Sequence, residues 1–343
     1  MKILQKNLSG IKTIEAVLED GEEALIVSDT HFGLKIKGVY ATSYIELTDM
    51  VERLKRDGRK IALVVLLGDI FELWTGNFQG ILSTSYDFLK SLADLKATIL
   101  YVSGNHDRII SNISLKSNKG LGDLYIVPEF AILNVSGKRL VLMHGHQFDT
   151  LFLATKGLWK IQSYIYTISE AFIALPGPTE WILAVLSAMI VFAIVSFMPK
   201  YTLSELVTIY LASFFLFLPL IILVWRTIQD KIWYLFLIPV TSTLFRGKSR
   251  GKTVNEMISK KSFRSTVELL EELIGKISGI VFGHTHVPGL VSWRGIIVAN
   301  SGSWIRNQNS DEHNTFILVN SRGITLYIWK DSEYQIVDTR GFQ

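Results

Sequence analysis

The chain has no cysteine, which removes disulfides, thiolate metal sites and cysteine nucleophiles and leaves histidine, carboxylate and amide as ligands. Nitrogen and oxygen donors of this kind suit hard or borderline divalent cations. Charge is also scarce. Of the 343 residues, 19% are charged and 49% hydrophobic, so the chain is greasier than an ordinary soluble enzyme and part of it is expected to meet lipid. Neither sign dominates: the net charge is +4 with a pI near 9.0. A basic flank beside a membrane explains that balance more simply than a nucleic-acid polymer as partner. Met1 to Ala16 alternates charged and apolar residues with no continuous hydrophobic core, so a cleaved secretory signal is not expected. Internal repeats and low-complexity tracts are missing from the sequence as well.

What is present is one plan repeated five times: a short apolar run, a small residue, then Asp, Asn or His. Ala24 to Ser28 leads to Asp29-Thr30-His31, and Ile61 to Leu67 leads to Gly68-Asp69. Thr98 to Val102 leads to Gly104-Asn105-His106-Asp107, Leu140 to Met143 to His144-Gly145-His146, and Ile277 to Phe282 to Gly283-His284-Thr285-His286. Continuous apolar runs interleaved with helical patterns read as parallel strands covered on both faces, and ligands in such sheets collect at the strands' carboxyl ends. Six of the seven histidines fall in these clusters, His313 being the exception, so a metal is the expected occupant. Helical spacing over Tyr40 to Arg56 and Ser83 to Leu95 completes β-α-β-α-β, which predicts a layered α/β sandwich. Ser136-Gly137 predicts a hairpin between 130–135 and 138–144. Residues 1–23 read as polar and mixed, ending in a turn at Glu19 to Glu23, and strand pairs at 295–299, 315–319 and 324–329 are expected to finish a second sheet.

Between these parts the chain changes character. Trp181 to Met198 carries no charge over about 18 residues and Leu206 to Trp225 none over about 20, the length needed to cross a hydrocarbon core. Ligand candidates at His144 and His284 flank this stretch, so its ends must return to one side. Arg226, Lys231, Arg246, Lys248, Arg250 and Lys252 outnumber Lys200, which places that side in the cytoplasm. The expectation is a two-span hairpin in the cell membrane with an interfacial segment at about 232–245. The domain is accordingly expected as 1–155 and 251–343 around an insertion at 156–250.

Asp29-x-His31, Gly68-Asp69, Gly104-Asn105-His106-Asp107, His144 and Gly283-His284-x-His286, in that order, resemble the five-block signature of the calcineurin-like metallophosphoesterases. Gly68 to Trp74, His144 to Asp149 and Asn300 to Trp304 resemble its branch of UDP-diacylglucosamine pyrophosphohydrolases, although His106 stands where that branch commonly has arginine. The resemblance implies a four-layer α/β/β/α sandwich holding two divalent cations, manganese first, with iron, zinc or magnesium as other candidates. It implies Asp29, His31 and His286 on one ion, Asn105, His144 and His284 on the other, and Asp69 bridging. It further implies hydrolysis of a phosphate or pyrophosphate ester, by in-line attack of a hydroxide held between the ions. His106 is the expected general acid, with Asp107 orienting its ring. Glu72 and Asp149 are candidates to orient ligating histidines. His146, Arg108 and Trp74 are expected near substrate. The insertion points to a lipid-linked or nucleotide-lipid substrate; a tethered phosphodiesterase or phosphatase of soluble nucleotides, and a non-catalytic membrane scaffold, are the alternatives.

Overall fold

The computed structural model describes residues 1–8, 11–73, 76–104, 106–107, 114–117, 122–148, 251–306 and 313–342, together with scattered residues in 185–214. The chain divides into two units, Met1–Thr167 with Ser249–Gln343, and Ile168–Lys248.

In the first unit the amino-terminal strands are β1 (Lys2–Leu8), β2 (Ile11–Leu18) and β3 (Glu23–Val27), then the short pair β4 (Lys35–Ile36) and β5 (Val39–Tyr40). Helix α1 (Tyr44–Arg56), β6 (Ile61–Leu67), α2 (Phe78–Asp94) and β7 (Thr98–Val102) follow. Next come β8 (Ser114–Leu115), β9 (Leu124–Val127), β10 (Phe130–Val135) and β11 (Lys138–Met143). The later part holds α3 (Val254–Ser259), α4 (Lys261–Ile274), β12 (Gly279–Phe282), β13 (Gly289–Trp293) and β14 (Ile296–Asn300). It ends with β15 (Thr315–Asn320), β16 (Gly323–Lys330) and β17 (Glu333–Gly341).

Among the described residues two large sheets result, ordered β17-β16-β15-β3-β6-β7-β9-β8 and β1-β2-β10-β11-β12-β14-β13, beside the two-stranded β4-β5. The run β3-β6-β7-β9 is parallel, as is β11-β12-β14, while antiparallel strands form the flanks. Alternation along single strands sorts the core into layers, because successive side chains point to opposite faces. Ala24 and Ile26 of β3 join Leu63, Val65, Leu133, Leu142 and Ala299 between the sheets. Leu25 and Val27 pack outward with Leu47, Met50, Val51 and Leu54 of α1 and Phe88 and Leu92 of α2. On the far side Val141, Ile280 and Val298 meet Met257 of α3 and Phe263 and Val267 of α4. The order is helix, sheet, sheet, helix.

The expected elements are found with shifted ends. Helix α1 begins at Tyr44 rather than Tyr40, because Val39 and Tyr40 pair with Ile36 and Lys35. Helix α2 begins at Phe78, where Asn77 caps it by accepting the Gly80 N–H at 2.6 Å. The hairpin β10–β11 turns at Ser136 and Gly137, both at positive φ (50° and 79°), the conformation of a type I′ turn. Two expectations need correction. Residues 2–8 and 11–18, expected only as a polar, mixed lead-in, are paired strands, and β2 continues the sheet in parallel beside β10. The strands near 295–329 do not finish one sheet: β14 joins the seven-stranded sheet, β15 and β16 the eight-stranded one.

In the second unit, the expected spans at 181–198 and 206–225 fall largely, and the segment at 232–245 wholly, outside the described residues. Among the described residues no helix is long and apolar enough to cross a membrane. Helical residues described there have an inverted burial pattern: Ser187, Thr208 and Ala212 are buried while Val185, Leu186, Met189, Ile209, Tyr210 and Phe214 are exposed.

Candidate metal centre

The carboxyl ends of β3, β6 and β7 from one sheet meet those of β11, β12 and β14 from the other, and the five motifs sit in the turns that follow. Backbone hydrogen bonds lock these turns together. Asp29 N–H donates to Gly68 O at 3.1 Å, His31 N–H to Asp69 O at 2.9 Å and Gly283 N–H to His144 O at 2.9 Å. Between the sheets, His284 N–H donates to Asp29 Oδ2 at 2.9 Å and the Ser28 and Ser301 hydroxyls pair at 2.7 Å. Asp29, His31, Asp69, His284 and His286 all have φ between 45° and 67°. Left-handed backbone costs non-glycine residues about 1–3 kcal/mol each, and its concentration here fits a site where geometry overrides local preference.

Three groups of side chains each place their ligating atoms within 4.8 Å of one another: Asp29, His31 and His286; Asp69, His144 and His284; and His31, Asp69 and His106. Asp69 belongs to two of them. Its Oδ2 lies 3.3 Å from His144 Nε2, 3.6 Å from His31 Nε2 and 4.0 Å from His106 Nε2, while its Oδ1 accepts the His106 N–H at 2.9 Å. Asp29 Oδ1 lies 3.1 Å from His286 Nε2. Asp29 Oδ1 and His31 Nε2 are buried without a hydrogen bond, a costly arrangement unless something else fills their coordination. Convergent nitrogen and oxygen donors with unfilled lone pairs fit divalent cations.

The electrostatics agree. Burial alone would raise the Asp29 carboxyl, but His286 and His144 override it and hold it at about 2. Burial opposes ionisation of Asp69 too, yet His144, His106 and His31 keep it well below the ordinary range. For His144, burial favours the neutral ring but Asp69, Asp29 and the Leu67 carbonyl raise it to about 10. The site concentrates negative charge that a proton on His144 offsets when no cation does.

Glu72 is the residue sequence reasoning underrated. It is buried, and its carboxylate accepts from Nδ1 of both His31 (2.9 Å) and His106 (3.0 Å), which leaves both Nε2 atoms facing Asp69. His106 and His31, acting against burial, hold its pKa far below the carboxylate range. Asp107 does not orient the His106 ring as expected. Its Oδ2 accepts the Ile70 N–H at 2.7 Å, the Phe71 N–H at 3.4 Å and the Tyr101 hydroxyl, and its Oδ1 the Gly104 N–H at 2.6 Å. It ties the β6 turn to the β7 turn. Burial and the nearby Asp69 push its pKa up. In the sequence Tyr101 reads as one more apolar residue of β7, with nothing local to mark its hydroxyl's partner.

His146 is buried beside the cluster, its ring centroid 5.6 Å from that of His144 and 6.4 Å from that of His284. Asn105, Arg108, Trp74 and Asp149 lie outside the described residues. Asn300 and Trp304 are structural: Asn300 Nδ2 donates to Gly283 O at 2.7 Å, and the backbone N–H of the fully buried Trp304 donates to Asp29 O at 3.2 Å.

Residues 24–186 match the family described as Calcineurin-like phosphoesterase. A UDP-2,3-diacylglucosamine hydrolase of Psychromonas ingrahamii is 32% identical over 118 residues, 34% of this chain and 45% of that protein. One from Wigglesworthia glossinidia brevipalpis is 28% identical over 157 residues, 44% of this chain and 57% of that protein. The chain thus spans about half the length of the curated relatives it matches. Among solved structures, a dimetal phosphatase from Danio rerio is 11% identical with a TM-score of 0.44, covering 95% of this chain and 100% of that one.

Proposed function

We propose that the chain hydrolyses a phosphoric ester or anhydride bond with two divalent cations, manganese in the first instance, bound by Asp29, His31, Asp69, Asn105, His144, His284 and His286. The observation that carries this reading is that Asp69 Oδ2 lies 3.6 Å from His31 Nε2 and 3.3 Å from His144 Nε2, one histidine from each ligand set, so a single carboxylate can serve neighbouring ions. Cations bound there supply Lewis acidity, offsetting charge on phosphoryl oxygens and lowering the pKa of water.

The chain's own residues do the rest. Glu72 fixes the tautomer and orientation of His31, so that Nε2 is the ligating atom; the Leu67 carbonyl, 3.1 Å from His144 Nδ1, does the same for His144. Glu72 also stabilises a protonated His106, whose Nε2 proton is then available to the leaving-group oxygen. His106 has its side chain 11% exposed where the ligands beside it are sealed, as suits a group that meets substrate. Asp107 keeps the two turns in register.

The substrate we favour is lipid-linked, with UDP-2,3-diacylglucosamine, named in the relatives' description, as the first compound to try. Membrane anchoring through the insertion, with the catalytic unit on the cytoplasmic side, belongs to the same reading. It draws support from the two uncharged runs and from the exposed apolar, buried small-or-polar pattern of the helical residues there. The test is hydrolysis of bis-p-nitrophenyl phosphate and of the nucleotide-lipid with added manganese. Asp69→Asn and His144→Ala are expected to abolish both activities, and full activity in either variant would end the assignment.

A further inference from the structure

Helix α2 has a second apolar face that nothing among the described residues covers. Phe88 and Leu92 are buried against the sheet and Ile81 against Gly33, yet Phe78, Leu82 and Tyr86 on successive outer turns are 74%, 48% and 66% exposed. Exposed Lys90 continues the row, and exposed Asp87 lies on its flank. The row is widened by the β4–β5 pair. A Cβ on Gly80 would lie 3.0 Å from the Tyr40 Oη, so the pair sits against the first turn of α2. Its tip presents Val39, 70% exposed, beside exposed Lys37, and Lys35 lies over the Tyr40 ring at 4.8 Å.

Large apolar side chains in contiguous array, bordered by lysines and a tyrosine, form the pattern of a surface that rests in a membrane interface. The apolar part enters the headgroup boundary, and lysine stems snorkel to anionic lipid. A bilayer is also the apolar phase at the highest effective concentration for a chain tethered by its own uncharged runs. We propose that Val39, Phe78, Leu82 and Tyr86 lie in the interface of an anionic bilayer, with Lys35, Lys37 and Lys90 on its headgroups; this rests on the membrane reading above. The consequence is positional. His31 is four residues before Lys35 and Glu72 six before Phe78, so the segments that touch lipid are those that carry the rim of the metal cluster. A lipid-linked phosphate would meet the site without leaving the membrane surface.

The absence of cysteine allows single-site probes in the full chain. Leu82→Cys, Tyr210→Cys in the insertion and Glu52→Cys on the exposed side of α1 are labelled with an environment-sensitive fluorophore and reconstituted into phosphatidylethanolamine/phosphatidylglycerol vesicles. The Leu82 label is expected to be quenched by a doxyl lipid several-fold more than the Glu52 label and to resist aqueous iodide. A Leu82 label as iodide-accessible as the Glu52 label, with the Tyr210 label quenched by lipid, overturns the inference and leaves the anchoring intact. Iodide access at Tyr210 overturns the anchoring itself. Shielding at Leu82 that depends on protein concentration in detergent assigns the face to a second copy and also overturns the inference. Phe78→Ser with Leu82→Ser is expected to lower turnover of the vesicle-borne nucleotide-lipid several-fold while leaving hydrolysis of the soluble diester unchanged; equal loss on both substrates counts against the surface.

Discussion

At the scale of single residues, Glu72 and Asp107 exchange the roles their positions suggest. Glu72 holds two histidines whose outward nitrogens face Asp69, so Glu72→Gln is expected to weaken manganese binding about 10–100-fold and to lower kcat, read by metal titration and initial rates. His106→Ala is expected to lower kcat while sparing metal content, and loss of metal would move His106 among the ligands. Asp107 accepts from three backbone amides and one hydroxyl, of which those of Ile70, Gly104 and Tyr101 are buried with it and that of Phe71 is partly buried. Each donor stranded by Asp107→Ala costs about 1–3 kcal/mol, a large share of a domain's margin of about 5–15 kcal/mol. Urea unfolding is expected to show that loss, or the variant fails to accumulate. Protons at His144 make a further prediction. Its ordinary value of 6.5 is raised to about 10 in the metal-free fold, so its stabilisation is complete below 6.5 and lost as pH rises through 10. A cation must displace that proton. Manganese uptake at pH 8 is therefore expected to release protons, and affinity to grow with pH across this window, measured by calorimetry in buffers of different ionisation heat.

At the scale of elements, the turns after the strands approach one another so closely that only glycine fits at their crossing points. A Cβ on Gly104 would lie 2.2 Å from Asp69 Oδ1, and one on Gly283 2.2 Å from Asp29 Oδ2, both distances that no packing can absorb without moving the carboxylate. Gly104→Ala and Gly283→Ala are thus expected to lose bound metal while the circular dichroism of the strands is retained. The α3 start carries a capping box in which Thr253 and Glu256 satisfy each other's backbone N–H groups. Because the Thr253 side chain bonds within the cap and to none of the candidate ligands, Thr253→Ala is expected to cost about 1 kcal/mol in stability and to retain activity.

On the scale of the whole molecule, the donors come from both sheets, and the Asp29 contact to the His284 amide spans 255 positions of sequence. No such constellation survives unfolding, so cations bind the folded chain alone and shift its stability by mass action. At a hundredfold excess over Kd that shift is about 2.7 kcal/mol, on the order of 5–10 °C in Tm for a unit of this size. Chelation is expected to remove it, and thermal scans with graded manganese will show whether it saturates with the activity.

The clusters were legible in the sequence because their physics is local: an apolar run forms a buried strand, and a small residue followed by Asp or His places a ligand just past its end. The same locality made both strands of the β10–β11 hairpin and the body of α1 readable. It failed where the deciding partner is remote. Strand β1 is largely exposed and owes its conformation to β2, and β14 and β15 part company because their hydrogen-bonding neighbours, β12 and β3, belong to different sheets. The identities of the candidate ligands were thus determined by the sequence alone. Which carboxylate aligns the histidines was decided only by tertiary structure, since Asp107 neighbours His106 in the chain while Glu72 reaches it from the turn after another strand.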